Sequence, residues 1–116
     1  MSQTFDVILK SGTVVNQERV HSQLEGAVVM GISNVLYGGI TMKNGLVEQS
    51  NFRDARVARM RDVPTFIHTH IVSSTAPPSG VGEPGTPPVG AALANAIFAL
   101  TQRRLREVPF AKALKI

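Results

Sequence analysis

The chain has 116 residues, a formal net charge of +4 and no cysteine. That length holds one domain with a modest core, and the lack of thiols rules out disulfides, cysteine-ligated iron–sulfur clusters and thiolate metal sites within it. The basic excess is small and aromatic residues make up only 5%, so no nucleic-acid module is read, and no apolar run is long enough to span a bilayer.

In chain order, Phe5 to Leu9 alternates weakly and reads as a short strand. Ser11-Gly12 turns the chain and Thr13 to Val15 is extended. Asn16 is a credible N-cap for a helix over Gln17 to Leu36, with Val20, Leu24, Ala27, Val28, Gly31, Ile32 and Val35 on one stripe. Gly26 and Gly31 cost this helix about 1 kcal/mol each relative to alanine, so the expectation is that another surface comes close there. Gly38-Gly39 ends it. Ile40 to Lys43 and Leu46 to Gln49 flank Asn44-Gly45, the strongest short hairpin signal available. Phe52 to Met60 is partly extended and broken by arginines. A strand over Thr65 to Val72 places Phe66, His68, His70 and Val72 on one side and Ile67, Thr69 and Ile71 on the other.

A glycine- and proline-rich loop follows, then an apolar helix from Pro87. Thr86 suits the N-cap and Pro87 the first helical position. Leu105 to Phe110 reads as a last strand and the tail from Ala111 as frayed. The expected class is α+β, a single domain over residues 1–116, with two helices against a small, mostly antiparallel sheet. The loop holds one carboxylate, Glu83, which Pro84 pushes out of the α region. Gly80, Gly82 and Gly85 are expected to adopt unusual backbone angles or to admit close approach. The spacing also spells G-x-G-x-x-G, but no strand runs into the first glycine and too little chain follows for a dinucleotide fold. On spacing alone Glu83 is either a solvated residue on a rigid loop or part of a site.

Two other groups invite chemistry. His68 and His70 share a strand face as metal ligands can, but no third ligand is suggested, and they read as ordinary strand histidines; no metal site is assigned. His21 reads as solvated. Gln23 and Gly26 offer a neutral amide beside a bare backbone, which suits a ring edge or a phosphate-bearing cofactor and equally suits a polar helix flank with a packing glycine.

Three segments carry a resemblance: Gly12-Thr13-Val14-Val15-Asn16, Gln23-Leu24-Glu25-Gly26 with Gly31, and Gly80-Val81-Gly82-Glu83-Pro84-Gly85-Thr86-Pro87-Pro88. With them, Asp6 to Phe110 resembles the C-terminal part of the molybdopterin-binding large subunit of the xanthine dehydrogenase and aldehyde oxidase family, of the isoquinoline 1-oxidoreductase β-subunit type. The resemblance implies a part of the molybdenum-cofactor-binding domain. It implies Glu83 as the general base in oxidative hydroxylation of aldehydes or N-heterocycles, with water as oxygen source, and Gln23, Gly26 and Gly82 as cofactor-binding positions. It further implies molybdopterin with molybdenum, in the cytosine dinucleotide form, bound only in the full assembly. The implied partners are the remainder of the subunit, a 2Fe-2S subunit and a small-molecule substrate. Ser11 and Gln17 depart from the usual cysteine and proline.

Family subunits are many times longer, so the isolated chain is expected to be inactive and, through apolar surface on its helices, to self-associate or need a partner. The other reading is a stand-alone module that keeps the fold without the chemistry, binding small molecules or oligomerising. The expected location is the cytoplasm, or the periplasm as passenger of a folded exported complex, with no export signal read in this chain.

Overall fold

The computed structural model describes residues 4–116. Strand β1 (Thr4–Leu9) leads to helix α1 (Gln17–Tyr37), then to a hairpin of β2 (Met42–Lys43) and β3 (Leu46–Val47). A 3-10 turn (Met60–Asp62), strand β4 (Phe66–Ile71), helix α2 (Pro87–Thr101) and a short helix α3 (Phe110–Leu114) complete the order. The class is α+β, with two long helices, a two-stranded parallel sheet of β1 and β4 and a separate two-stranded antiparallel sheet of β2 and β3.

The longer ladder is the parallel one, from Thr4 opposite Phe66 to Leu9 opposite Ile71. Mostly antiparallel pairing was the expectation. The chain leaves β1, crosses along α1 and returns through the hairpin arm, and such a long crossover delivers the next strand parallel to the first. Only the short hairpin pair, Met42 opposite Val47 and Lys43 opposite Leu46, is antiparallel, with Asn44 and Gly45 both at positive φ in its turn, as the dipeptide requires.

Helix α1 is the central element. Asn16 caps it, its side chain accepting from the Arg19 amide at 3.0 Å. Its buried stripe is Val20, Leu24, Ala27, Val28, Gly31, Ile32 and Leu36, recurring at the three-to-four spacing of one helix face. One end of the stripe meets the sheet through Leu9, Val7 and Ile71. The other end meets α2 and α3 through Val89 and Phe110. Val28 and Leu24 are fully buried, worth about 1.5–3 kcal/mol each relative to exposure.

The structure corrects the C-terminal reading. Leu105 to Phe110 is no strand, since Pro109 lacks the amide a ladder needs. Phe110 instead enters the core and opens α3, so the tail is helical to Leu114 and not frayed. Residues 52–54 form a turn, residues 56–59 have no regular structure, with Arg59 extended, and Met60 opens the 3-10 turn. Arg56 stacks 3.9 Å over the Tyr37 ring and donates to its hydroxyl at 2.9 Å, binding this segment to the end of α1.

Candidate functional site

Every third or fourth residue of α1 after Gln23 shares its face, which aligns Gln23, Gly26, Ala27 and Met30. These residues form one wall of a cleft of about 490 Å³; Gly82, Glu83, Thr86 and Pro87, from the loop and the first turn of α2, form the other. All four residues singled out in the sequence, Gln23, Gly26, Gly82 and Glu83, therefore line one cavity.

The loop wall is stiff. The Glu83 carbonyl accepts from the Thr86 amide at 2.9 Å, closing a turn with Pro84 and Gly85 at its corners, and proline suits the first corner. Thr86 stands at the N-cap of α2 as expected, but its side chain makes no capping bond to that helix. Its hydroxyl donates to the Ala27 carbonyl at 3.4 Å, tying the loop to α1. Pro87 does take the first helical position.

The glycines act through space and not through unusual angles. Among the described residues, positive-φ glycines are Gly12 and Gly45, and Gly80, Gly82 and Gly85 are not among them. A Cβ on Gly26 or on Gly82 would meet nothing within 4 Å, so both present bare backbone to open space beside the cleft. Close approach within the chain falls at Gly31, where a Cβ would lie 2.7 Å from Val89 Cγ2, and at Gly85, where it would lie 2.8 Å from Ala27 Cβ.

The Glu83 side chain is exposed, and among the described residues no donor or cation contacts its carboxylate. A free carboxylate on a rigid turn, an amide across from it, and two stretches of uncovered backbone can together receive a polar, flat group and take a proton from something bound beside it. Met30 and Pro87 supply apolar walls. Sequence reasoning missed Met30 as a lining residue, although it stands one turn beyond Gly26 on the same face.

The histidines lie elsewhere. His21 is half-buried and hydrogen-bonded to the Thr69 hydroxyl, joining α1 to β4; the expectation of a solvated side chain is corrected. His70 Nε2 lies 3.7 Å from Asp6 Oδ1, and His68 stacks with Phe66 at 6.3 Å, both on the outer face of the sheet. Among the described residues no group of three or more potential ligands gathers, and no helix is long and apolar enough to cross a membrane.

Comparison with known proteins bears on this cleft. The family described as molybdopterin cofactor-binding domain matches residues 2–64. The membrane-bound aldehyde dehydrogenase [pyrroloquinoline-quinone] of Gluconacetobacter polyoxogenes is 36% identical over 107 residues, 92% of this chain and 14% of that protein. The isoquinoline 1-oxidoreductase subunit beta of Brevundimonas diminuta is 34% identical over 103 residues, covering 89% of this chain and 13% of that one. In three dimensions, the crystal structure of quinoline 2-oxidoreductase from Pseudomonas putida 86 matches with a TM-score of 0.78 at 21% identity, over 90% of this chain and 14% of its own. The chain thus spans only between 8% and 14% of the length of the relatives it matches.

Proposed function

This chain belongs to the molybdopterin cofactor-binding domain family, and we propose that it is the C-terminal piece of a molybdenum hydroxylase catalytic subunit, working only in a complete assembly. The observation that carries the proposal is the convergence of Gln23, Gly26, Gly82 and Glu83 on one cleft. The residues fit the group. The Gln23 amide can bond a ring edge or phosphate, and the uncovered backbone at Gly26 and Gly82 leaves room for a rigid cofactor to come close. When bound, molybdopterin with molybdenum, in its cytosine dinucleotide form, supplies the redox chemistry.

The net reaction replaces a C–H bond of an aldehyde or N-heterocycle by C–O. Water gives the oxygen, and two electrons and two protons leave. Glu83 accepts one proton, at a carboxylate oxygen, from the water-derived oxygen as it attacks carbon. The turn closed by Thr86 fixes the backbone that carries this carboxylate beside the cleft, and a base needs placement before its basicity matters. Electrons leave toward a 2Fe-2S subunit, and the remainder of the molybdenum-binding subunit closes the open side of the cleft.

The test is Glu83→Gln in the reconstituted assembly. Loss of a general base lowers kcat by about 10²–10⁴-fold, with molybdenum content unchanged. Unchanged turnover retires the catalytic role. The second reading, an inert module that oligomerises or binds small molecules, is favoured by one observation: the chain supplies only part of the enclosure, and the Glu83 carboxylate stands exposed. A metal-free homo-oligomer that persists when upstream subunit sequence is co-expressed selects it.

A further inference from the structure

We infer that Gly85, seated on Ala27, is a positioning residue that sets how close Glu83 stands to the Gln23 wall; the inference rests on the reading of Glu83 as a base. Gly85 is buried, and its backbone angles are ordinary, so its lack of a side chain serves space alone. A Cβ at that position would lie 2.8 Å from Ala27 Cβ and 3.4 Å from Leu24 Cδ2. The first distance is shorter than two carbons tolerate. Both obstacles belong to α1, and Ala27 is part of the cleft wall, so the methyl group has nowhere to go unless loop and helix separate.

That separation reaches Glu83 directly. Gly85 is a corner of the turn that the Glu83 carbonyl and Thr86 amide close at 2.9 Å. The turn moves as a unit, and Glu83 is its first residue. Farther along the same seam, a Cβ on Gly31 would lie 2.8 Å from Val89 Cβ and 3.0 Å from the Thr86 carbonyl oxygen. The turn is thus held to α1 from both sides of Thr86, and Gly85 is the contact nearest the carboxylate. A Cβ on Gly80, in the same loop, would meet nothing within 4 Å, so Gly80 takes no part in holding the turn.

The test compares four variants in the reconstituted complex: Gly85→Ala, Gly85→Ala with Ala27→Gly, Gly80→Ala and Glu83→Gln. Turnover, KM, molybdenum per complex and Tm are read for each. Gly85→Ala is expected to lower kcat between about tenfold and a hundredfold, the scale of a misplacement near 1 Å, with molybdenum retained. Adding Ala27→Gly removes the opposing methyl and is expected to restore kcat to within about threefold of wild type. Tm is expected to recover only in part, because relief of the clash is offset by the cost of a glycine in a helix interior. Recovery of kcat at a Tm still below wild type is what a merely structural role cannot produce. Gly80→Ala is expected to leave kcat unchanged.

Wild-type kcat in Gly85→Ala overturns the inference, as does a double variant that fails to recover or to assemble. If Glu83→Gln abolishes turnover while Gly85→Ala does not, only the positioning role fails. If Glu83→Gln turns over normally, the reading of Glu83 as a base fails and takes the positioning role with it.

Discussion

The seam between α1 and α2 and the arm from Ile40 to Met60 follow opposite rules. At the seam, glycines remove side chains so that the backbone of one side meets side chains of the other: Gly31 against Val89, Gly85 against Ala27, Gly90 against Val35. Along the arm, large apolar side chains stand in water, with Ile40 65%, Met42 67%, Leu46 74% and Phe52 99% exposed. The seam closes within the chain. The arm's two-residue strands pair only with each other, and a lone hairpin is marginal in water. Such surface is what a contact with another polypeptide would cover. The expected division is between a half self-sufficient in its packing and a dependent half that takes a cover.

The comparison breaks most sharply on paired truncations. Leu24→Ala, beneath the Gly85 turn and fully buried, is expected to cost about 2–5 kcal/mol. Leu46→Ala in the arm is expected to stay within about 0.5 kcal/mol. Chemical denaturation of both variants checks this, and equal losses would mean that the arm is already part of the core.

The arm also predicts behaviour in solution. The chain alone is expected to sediment as oligomers whose mass grows with concentration, and Leu46→Ser with Phe52→Ser to shift it toward monomer. A wild-type monomer that binds no apolar dye would remove the case for a dependent half.

Much of this division was legible in the residues. The α1 stripe, the Asn16 cap and the Asn44-Gly45 turn follow from local periodicity and turn chemistry, and each stands where expected except at the end of the stripe, where Leu36 is buried and Val35 is half-buried. The parallel pairing of β1 with β4 was not legible, because strand direction is set by the crossover and not by either strand's own sequence. Helix α3 was hidden for a related reason. A five-residue helix has too few turns for a periodic signal, and it exists because Phe110 finds the core. At the cleft, Glu83 and Gln23 were visible as polar residues beside glycines. Met30 was not, since a methionine on a helix face looks the same whether it lines a cavity or packs.

Ser11 sharpens the comparison on the self-sufficient side. It is buried at 5% exposure, and among the described residues its hydroxyl has no partner, although its carbonyl accepts from both the amide and the hydroxyl of Ser79 at 2.9 Å. An unpaired buried hydroxyl costs about 1–3 kcal/mol. Ser11→Ala, which removes the hydroxyl and little volume, is expected to raise stability by about 1 kcal/mol. A loss of stability would mean that the hydroxyl bonds something in solution.

The smallest effect concerns the joint where the arm rejoins the core. The Arg59 amide, 3.0 Å from Asp62 Oδ2, holds the Asp62 carboxyl below the ordinary carboxylate range; the Tyr37 hydroxyl and the Arg56 and Arg61 guanidinium groups add to this, and partial burial opposes it. A lowered folded-state value means that the folded form holds the proton less tightly than the unfolded chain does. The contribution to stability is therefore complete above the unfolded carboxyl value, about 3.9, and is lost as pH falls through the lower folded-state value. Asp62→Asn keeps an acceptor for the Arg59 amide but cannot titrate. Melts at neutral pH and near pH 3 are expected to show a smaller acid penalty in the variant than in wild type. Identical penalties would mean that the joint is already open in solution, and that the arm is free of the core at its base as well as at its tip.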